Sequence, residues 1–205
     1  MLNIAVFGSG AGTNFRAILT AIQQGTIPGA RISLVVSNNS GAGILGIARA
    51  NALPAIHLSQ KQFPDERSFA DALLSTLRDH SVNLVALAGY MKRVPPAVVA
   101  AYRNRIVNIH PALLPRFGGP GMYGIRVHEA VLASGDKMSG ATVHYVDEEY
   151  DHGTVVLQRK VPVLPGDTPE SLAARVLAAE HALYPAAIRQ IAMKESTPEH
   201  QRSRP

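Results

Sequence analysis

Apolar positions in the first half of the chain alternate between two periods. Leu2–Phe7 is a short apolar run that stops at a glycine loop, and Phe15, Ile18, Leu19 and Ile22 follow it at helical spacing. Arg31–Ser37 is a β-branched strand candidate. Gly43–Asn51 reads as a short helix and Ala55–Leu58 as a short strand. Asp65–His80 sets Phe69, Leu73 and Leu77 on one helical face. Leu84–Ala88 is a further buried strand, Pro95–Tyr102 a short helix and Ile106–His110 another strand. This βαβ rhythm predicts an α/β fold, a mostly parallel twisted sheet with helices on both faces.

The second half breaks the rhythm. Pro115–Gly124 is rich in Gly and Pro and reads as a long loop. A helix is expected over Val127–Ser134. Gly140–Val146 and Thr154–Val163 are strand candidates joined by an acidic turn, an antiparallel pair added to the parallel sheet. Thr168 followed by Pro169 is a helix start, a capping hydroxyl before a proline at the first helical position. That helix is expected to reach about Tyr184, where Pro185 kinks or restarts it. No internal repeat or linker divides the chain, so residues 1–194 are expected to form one domain and residues 195–205 a disordered tail.

Composition narrows the chemistry. A chain of 205 residues, 46% hydrophobic and 17% charged, can bury a single core without metal or disulfide staples. It has no cysteine, which excludes a thiol nucleophile, a cysteine-ligated metal and a disulfide framework. No apolar run approaches the roughly 18 residues of a membrane span. The N-terminus has no basic segment before its apolar run, so it reads as a strand and not a signal peptide, and a cytoplasmic location is expected. The net charge is +5. Basic residues nevertheless run no longer than the pairs Lys92-Arg93 and Arg159-Lys160, and there is no Trp, so no nucleic-acid surface is expected. A solvated basic surface and a field that draws in small anionic substrates both remain open.

The loop Gly8-Ser9-Gly10-Ala11-Gly12-Thr13-Asn14 joins the first strand to the first helix. A glycine turn there offers free N–H groups and a helix dipole to a phosphate, or is simply a tight turn that needs glycine. It is not a Walker A loop, because no Gly-Lys-Ser/Thr occurs in the chain. A dinucleotide fingerprint also fails. Its third glycine would fall at Thr13 or Phe15, and the second strand ends in Ser37-Asn38-Asn39 with no acid for a ribose. A single phosphate is the remaining ligand.

Asn108-Ile109-His110-Pro111 ends a strand, so Asn108 and His110 share a face and Ile109 takes the other. An amide can donate to a developing oxyanion and an imidazole can move a proton, the pair that acyl transfer needs. An Asn and a His that merely satisfy a strand end fit the pattern equally.

Asn108-Ile109-His110-Pro111-Ala112-Leu113-Leu114-Pro115 resembles the signature of the folate-dependent formyltransferases. Four further segments resemble the branch that formylates phosphoribosylglycinamide: Gly10–Asn14, Leu87–Arg93, His144–Val146 with Asp151-x-Gly153, and Glu180–Pro185. They occur in order from about residue 1 to 190. The resemblance implies a Rossmann-like formyltransferase fold, with residues 1–110 as a phosphate-binding half and 111–194 as a folate and catalytic half. It implies 10-formyltetrahydrofolate as donor and glycinamide ribonucleotide as acceptor. Gly12, Thr13 and Asn14 would hold the phosphate and Glu180 the ribose. Arg67 would meet the folate's glutamate end, and Met91, Lys92, Arg93 and Val94, with Asn108, would line the folate site. Asn108, His110 and Asp151 would be catalytic, with Asp151 raising the pKa of His110 so that an imidazolium meets the oxyanion. Only the motif singles out Asp151, since Asp147, Glu148 and Glu149 are equally near in sequence.

The resemblance implies small-molecule partners only, no metal, no membrane, and a monomer or homodimer. His57 and His80 read as structural or exposed, and His144 as a packing or loop-ordering residue. His128 begins no zinc motif. The segment Gly118–His128 departs from the family's shorter Pro-Gly-x-His-x-His stretch, with Arg126 where the first His is expected, and is expected to form a flap near the acceptor. A formyltetrahydrofolate hydrolase is the rival reading. Such enzymes usually carry an added N-terminal regulatory domain, whereas here the catalytic unit is expected to start at Met1.

Overall fold

In the computed structural model, residues 1–196 are described. Seven strands form one sheet: β1 (Leu2–Phe7), β2 (Ala30–Ser37), β3 (Ala55–His57), β4 (Leu84–Leu87), β5 (Ile106–His110), β6 (Met138–Tyr145) and β7 (Val155–Pro162). Their order is β3-β2-β1-β4-β5-β6-β7. β3 through β5 run parallel, and β6 and β7 pair antiparallel, as the change of rhythm predicts. The helices are α1 (Thr13–Gln23), α2 (Gly43–Ala50), α3 (Glu66–Asp79), α4 (Pro96–Ala101), α5 (Ile125–Ala133) and α6 (Pro169–Ser196).

Continuous apolar strands fill both faces. In β1, Ile4 and Val6 point into the core under α1, α2 and α6, while Ala5 and Phe7 point into the core under α3 and α4. β5 obeys the same alternation: Val107 and Ile109 enter the first core and Ile106 the second. The order of strands reverses between β1 and β4, which places a crevice outside their carboxyl ends.

Two helices depart from the sequence reading. α5 starts at Ile125, two residues early, so residues 125–128 belong to a helix and the loop before it is shorter than expected. α6 runs through Pro185 without ending. Proline removes one intrahelical bond, but Leu183, Tyr184, Ala187 and Ile188 on both sides of it are buried, and that packing outweighs the loss. Tyr184 is fully buried and its hydroxyl lies 3.0 Å from Leu87 O and 3.1 Å from Val107 O, which pins α6 to the ends of β4 and β5. Glu195 and Ser196, read as tail, close α6. The rest of the expected tail lies outside the described residues.

Candidate active site

β5 delivers Asn108 and His110 to the carboxyl end of the sheet, on the face opposite Ile109. Antiparallel pairing then sets His144 of β6 directly across from Asn108, and Thr142 across from His110. Thr142 fixes the loop that follows His110. Its hydroxyl donates to Ala112 O at 2.6 Å and accepts from Leu114 N–H at 3.1 Å. After β6 the chain turns back, and Gly153 makes the turn possible, because a Cβ there would stand 1.9 Å from Tyr145 O. Asp151 sits in the turn at φ 56°, a left-handed conformation that Asp tolerates better than most residues.

Asn108, His110, His144 and Asp151 form one cluster. His110 Nδ1 is 3.5 Å from Asp151 Oδ2, and His144 Nε2 is 3.5 Å from Asp151 Oδ1. Asn108 Nδ2 is 3.3 Å from His144 Nε2, and His144 Nδ1 donates to Tyr145 O at 2.8 Å. With Nδ1 so engaged, Nε2 accepts from Asn108 in the neutral ring and faces Asp151 as a donor in the charged one. His144 is therefore more than packing. Sequence reasoning missed its place because that depends on the β5–β6 register, which no local pattern reports across the helix and loops that separate the two strands.

Burial pushes the His110 imidazole down. Asp151 and the Phe117 carbonyl, which lies 2.7 Å from Nε2, pull it back up, but the net position stays below the ordinary value. The sequence expectation of an imidazolium raised by Asp151 is thus corrected: the push exists, and desolvation outweighs it. Burial also pushes the Asp151 carboxyl up, yet His144, the charge of His110 and the Gly119 N–H at 2.9 Å together hold it below the usual carboxylate range. At neutral pH both shifts favour an ionised Asp151 beside a neutral His110, whose charge acts on its neighbours only at acidic pH. His128 of α5, read as unremarkable, is buried near His110. Burial and the charge of His110 both lower its pKa, and its Nδ1 has no hydrogen-bond partner.

The first loop enters α1 through Gly12, whose φ of 79° and close approach to Ile44 Cα (2.9 Å from a built Cβ) admit only glycine. The first helical bond runs from Arg16 N–H to Gly12 O, so the amides of Thr13, Asn14 and Phe15 lie before it, with no side-chain cap and no acid in the first turn. Asn14 is buried, and its Nδ2 donates to Glu180 Oε2 of α6 at 2.6 Å. Burial raises the Glu180 pKa against the pull of Asn14. Asn14 Oδ1 is buried without a partner.

A cavity of about 670 Å³ connects these parts. Asn108, His110, Asp151, Asn14, Glu180 and the run Met91–Val94 all line it, as does the Gly119–Gly124 loop. Arg93 reaches across its mouth, with Nη2 donating to Glu148 O at 3.3 Å and the guanidinium 5.8 Å from the centre of the Tyr150 ring. Thr13 is exposed beside the cavity. Arg67 lies on the exposed first turn of α3, away from the cavity wall. Among the described residues no three His, Cys, Asp or Glu side chains group as metal ligands. No described helix is long and apolar enough to cross a membrane.

The open α/β sheet carries an Asn-His-Asp cluster at its carboxyl end, and the family follows from the sequence: the chain belongs to the formyl transferase family, whose sequence model matches residues 2–188. It is 49% identical over 182 residues to the chloroplastic phosphoribosylglycinamide formyltransferase of Vigna unguiculata, a match covering 88% of this chain and 58% of that protein. The phosphoribosylglycinamide formyltransferase of Bacillus subtilis is 36% identical over 191 residues, covering 93% of this chain and 95% of the relative. The crystal structure of glycinamide ribonucleotide transformylase 1 from Symbiobacterium toebii superposes with a TM-score of 0.88 at 42% identity, covering 95% of this chain and 89% of that one.

Proposed function

We propose that this chain transfers the formyl group of 10-formyltetrahydrofolate to the amine of N1-(5-phospho-β-D-ribosyl)glycinamide, a step of purine synthesis. The observation that carries the reading is one cavity whose wall holds together Asn14 and Glu180, beside a helix N-terminus, the run Met91–Val94, and the Asn108-His110-Asp151 cluster. The names of the relatives support formyl transfer to the same acceptor.

The acceptor's phosphate lies on the amides of Gly12, Thr13 and Asn14, where dipole and unpaired N–H groups favour an anion. Glu180 takes the ribose hydroxyls. The folate enters along Met91–Val94. Its glutamate end extends outward, toward Arg67. The amine attacks the formyl carbon and a tetrahedral oxyanion forms. Asn108 donates to that oxygen. His110 starts neutral with its Nδ1–H toward Asp151. Once the bound substrates displace the Phe117 carbonyl from Nε2, the developing negative charge raises that nitrogen's affinity for a proton, so it accepts one from the attacking amine and returns it to the departing folate nitrogen. Asp151, held ionised, supports the transient imidazolium. The chain's own residues supply every one of these roles.

The test mixes protein, 10-formyltetrahydrofolate and glycinamide ribonucleotide and follows folate deformylation. Deformylation that depends on the ribonucleotide, with a formylated ribonucleotide as product, supports the reading. Equal deformylation without it replaces the transferase with a formyltetrahydrofolate hydrolase.

A further inference from the structure

The reversal of strand order between β1 and β4 is where two loops part. One leads to Gly12–Asn14, the other to Met91–Val94. A single residue, Ser9, joins them. Its N–H donates to Gly89 O at 3.0 Å, and its Oγ accepts from Met91 N–H at 2.8 Å. Its hydroxyl donates to Asn38 Oδ1 at 2.5 Å, in the loop after β2. A fourth tie, Ile44 N–H to Gly10 O at 3.1 Å, holds the same loop to α2.

The composition of the first loop makes this hydroxyl unusual. Gly8, Gly10, Ala11 and Gly12 carry no polar side-chain atom, so Ser9 is the loop's only side-chain handle before Thr13. Its donor is committed to Asn38 and an acceptor lone pair to Met91, which fixes the hydroxyl's direction. The backbone of Met91, the first of the cavity-lining run, therefore hangs on the loop that precedes the phosphate amides by three residues. An adjustment of Gly10–Thr13 around an anion that reaches Ser9 is carried to residue 91, or it breaks one of these bonds.

We propose that Ser9 is a positioning residue that couples the two substrate sites, so that filling the phosphate loop tightens the folate pocket. The proposal rests on the formyltransferase reading for what fills each site. Coupling of this kind is reciprocal, since each ligand changes the other's affinity by the same factor.

The experiment is calorimetric titration of a folate analogue lacking a transferable formyl group, with and without saturating ribose 5-phosphate. That probe fills the phosphate and ribose positions but has no glycinamide amine to touch the folate, so synergy between the two must pass through the protein. Wild type is expected to bind the analogue at least about 5-fold tighter with the sugar phosphate present, the lower end of typical couplings. Ser9→Ala is expected to bind each ligand alone nearly as wild type does and to lose the enhancement, and Ser9→Thr, which keeps the hydroxyl, to regain it. Should Ser9→Ala fail to fold by circular dichroism, Asn38→Ala frees the same hydroxyl and is expected to lose the same enhancement. Full enhancement in the folded variant, or none in a wild type that binds both ligands, overturns the proposal. A wild type that binds neither ligand overturns the formyltransferase reading instead.

Discussion

His110 presents Nδ1 to Asp151 Oδ2 at 3.5 Å, while its Nε2 lies 2.7 Å from the carbonyl of Phe117. Both ring nitrogens face acceptors, yet burial keeps the ring below its ordinary pKa. The ring is poised to gain a proton as soon as further negative charge appears beside it. Asp151→Asn keeps the shape and removes the charge. The expected result is a folded protein whose turnover falls by about 10²–10⁴-fold, the range of a positioned acid–base group, with the His110 titration moved further down in a proton NMR pH series. Near-normal turnover in the folded variant, or an unmoved titration, contradicts the role given to Asp151.

His144 stands between Asn108 and Asp151 and is itself held by Tyr145 O. His144→Leu would leave the Asn108 amide without that acceptor and release one oxygen of Asp151. Stranding a polar group costs up to about 1–3 kcal/mol when it is buried, and Asn108 and Asp151 are half-buried, so the loss in rate is expected to be roughly 5-fold and at most about 150-fold if it falls on the transition state. The expected signature is a fall in kcat with KM for both substrates little changed. A variant that raises KM alone would place His144 in substrate binding and not in orientation of the catalytic groups.

His110 and His128 are both buried with pKa values below the ordinary 6.5. The sign follows from proton counting: near pH 6.5 the unfolded chain binds more protons at these two sites than the native one. Their contribution to stability is therefore complete above the ordinary imidazole pKa and is lost as pH falls through the native values. Melting temperature is expected to drop between about pH 7 and about pH 5, the window in which histidine titrates. His128→Leu also removes a ring nitrogen that has no partner, so its melting curve should depend less on pH in that window than wild type. An identical pH dependence would show that His128 is as free to protonate in the native state as in the unfolded one.

Particular residues show how far the sequence reaches. Strand alternation alone places Asn108 and His110 on one face, because a period of two needs no tertiary information. Asp151 was visible only through a motif, since what separates it from Asp147, Glu148 and Glu149 is a left-handed turn under Tyr145 O. His144 became part of the cluster through the pairing of β6 with β5, and no local pattern reports a register across 36 residues. The expected charge on His110 failed for a related reason: the sequence reveals a carboxylate partner but not the desolvation that opposes it. The passage of α6 through Pro185 rests on packing from β4 and β5, which a local rule about proline does not see.

Glu180 and Asn14 are 166 residues apart in sequence and 2.6 Å apart in space, buried together in the cavity wall. Burial raises the Glu180 pKa, so ionising this carboxyl weakens the ligand-free fold. The sign is that of any raised acid: its stabilising share is present below its unfolded pKa and is lost as pH rises through the folded one. Glu180→Gln keeps an oxygen to accept from Asn14 and supplies an N–H for the unpartnered Asn14 Oδ1. The ligand-free variant is expected to melt higher at neutral pH by about 2–4 °C, the shift that 1 kcal/mol produces at this chain length. Its affinity for the ribonucleotide is expected to fall, because the acceptor for the ribose hydroxyls is weakened, so KM for that substrate rises more than kcat changes. The pairing of higher stability with weaker binding is what distinguishes a charge retained for ligand recognition from one retained for the fold. A Glu180→Gln protein that melts lower and binds the ribonucleotide as tightly as wild type would assign this buried carboxylate to structure alone.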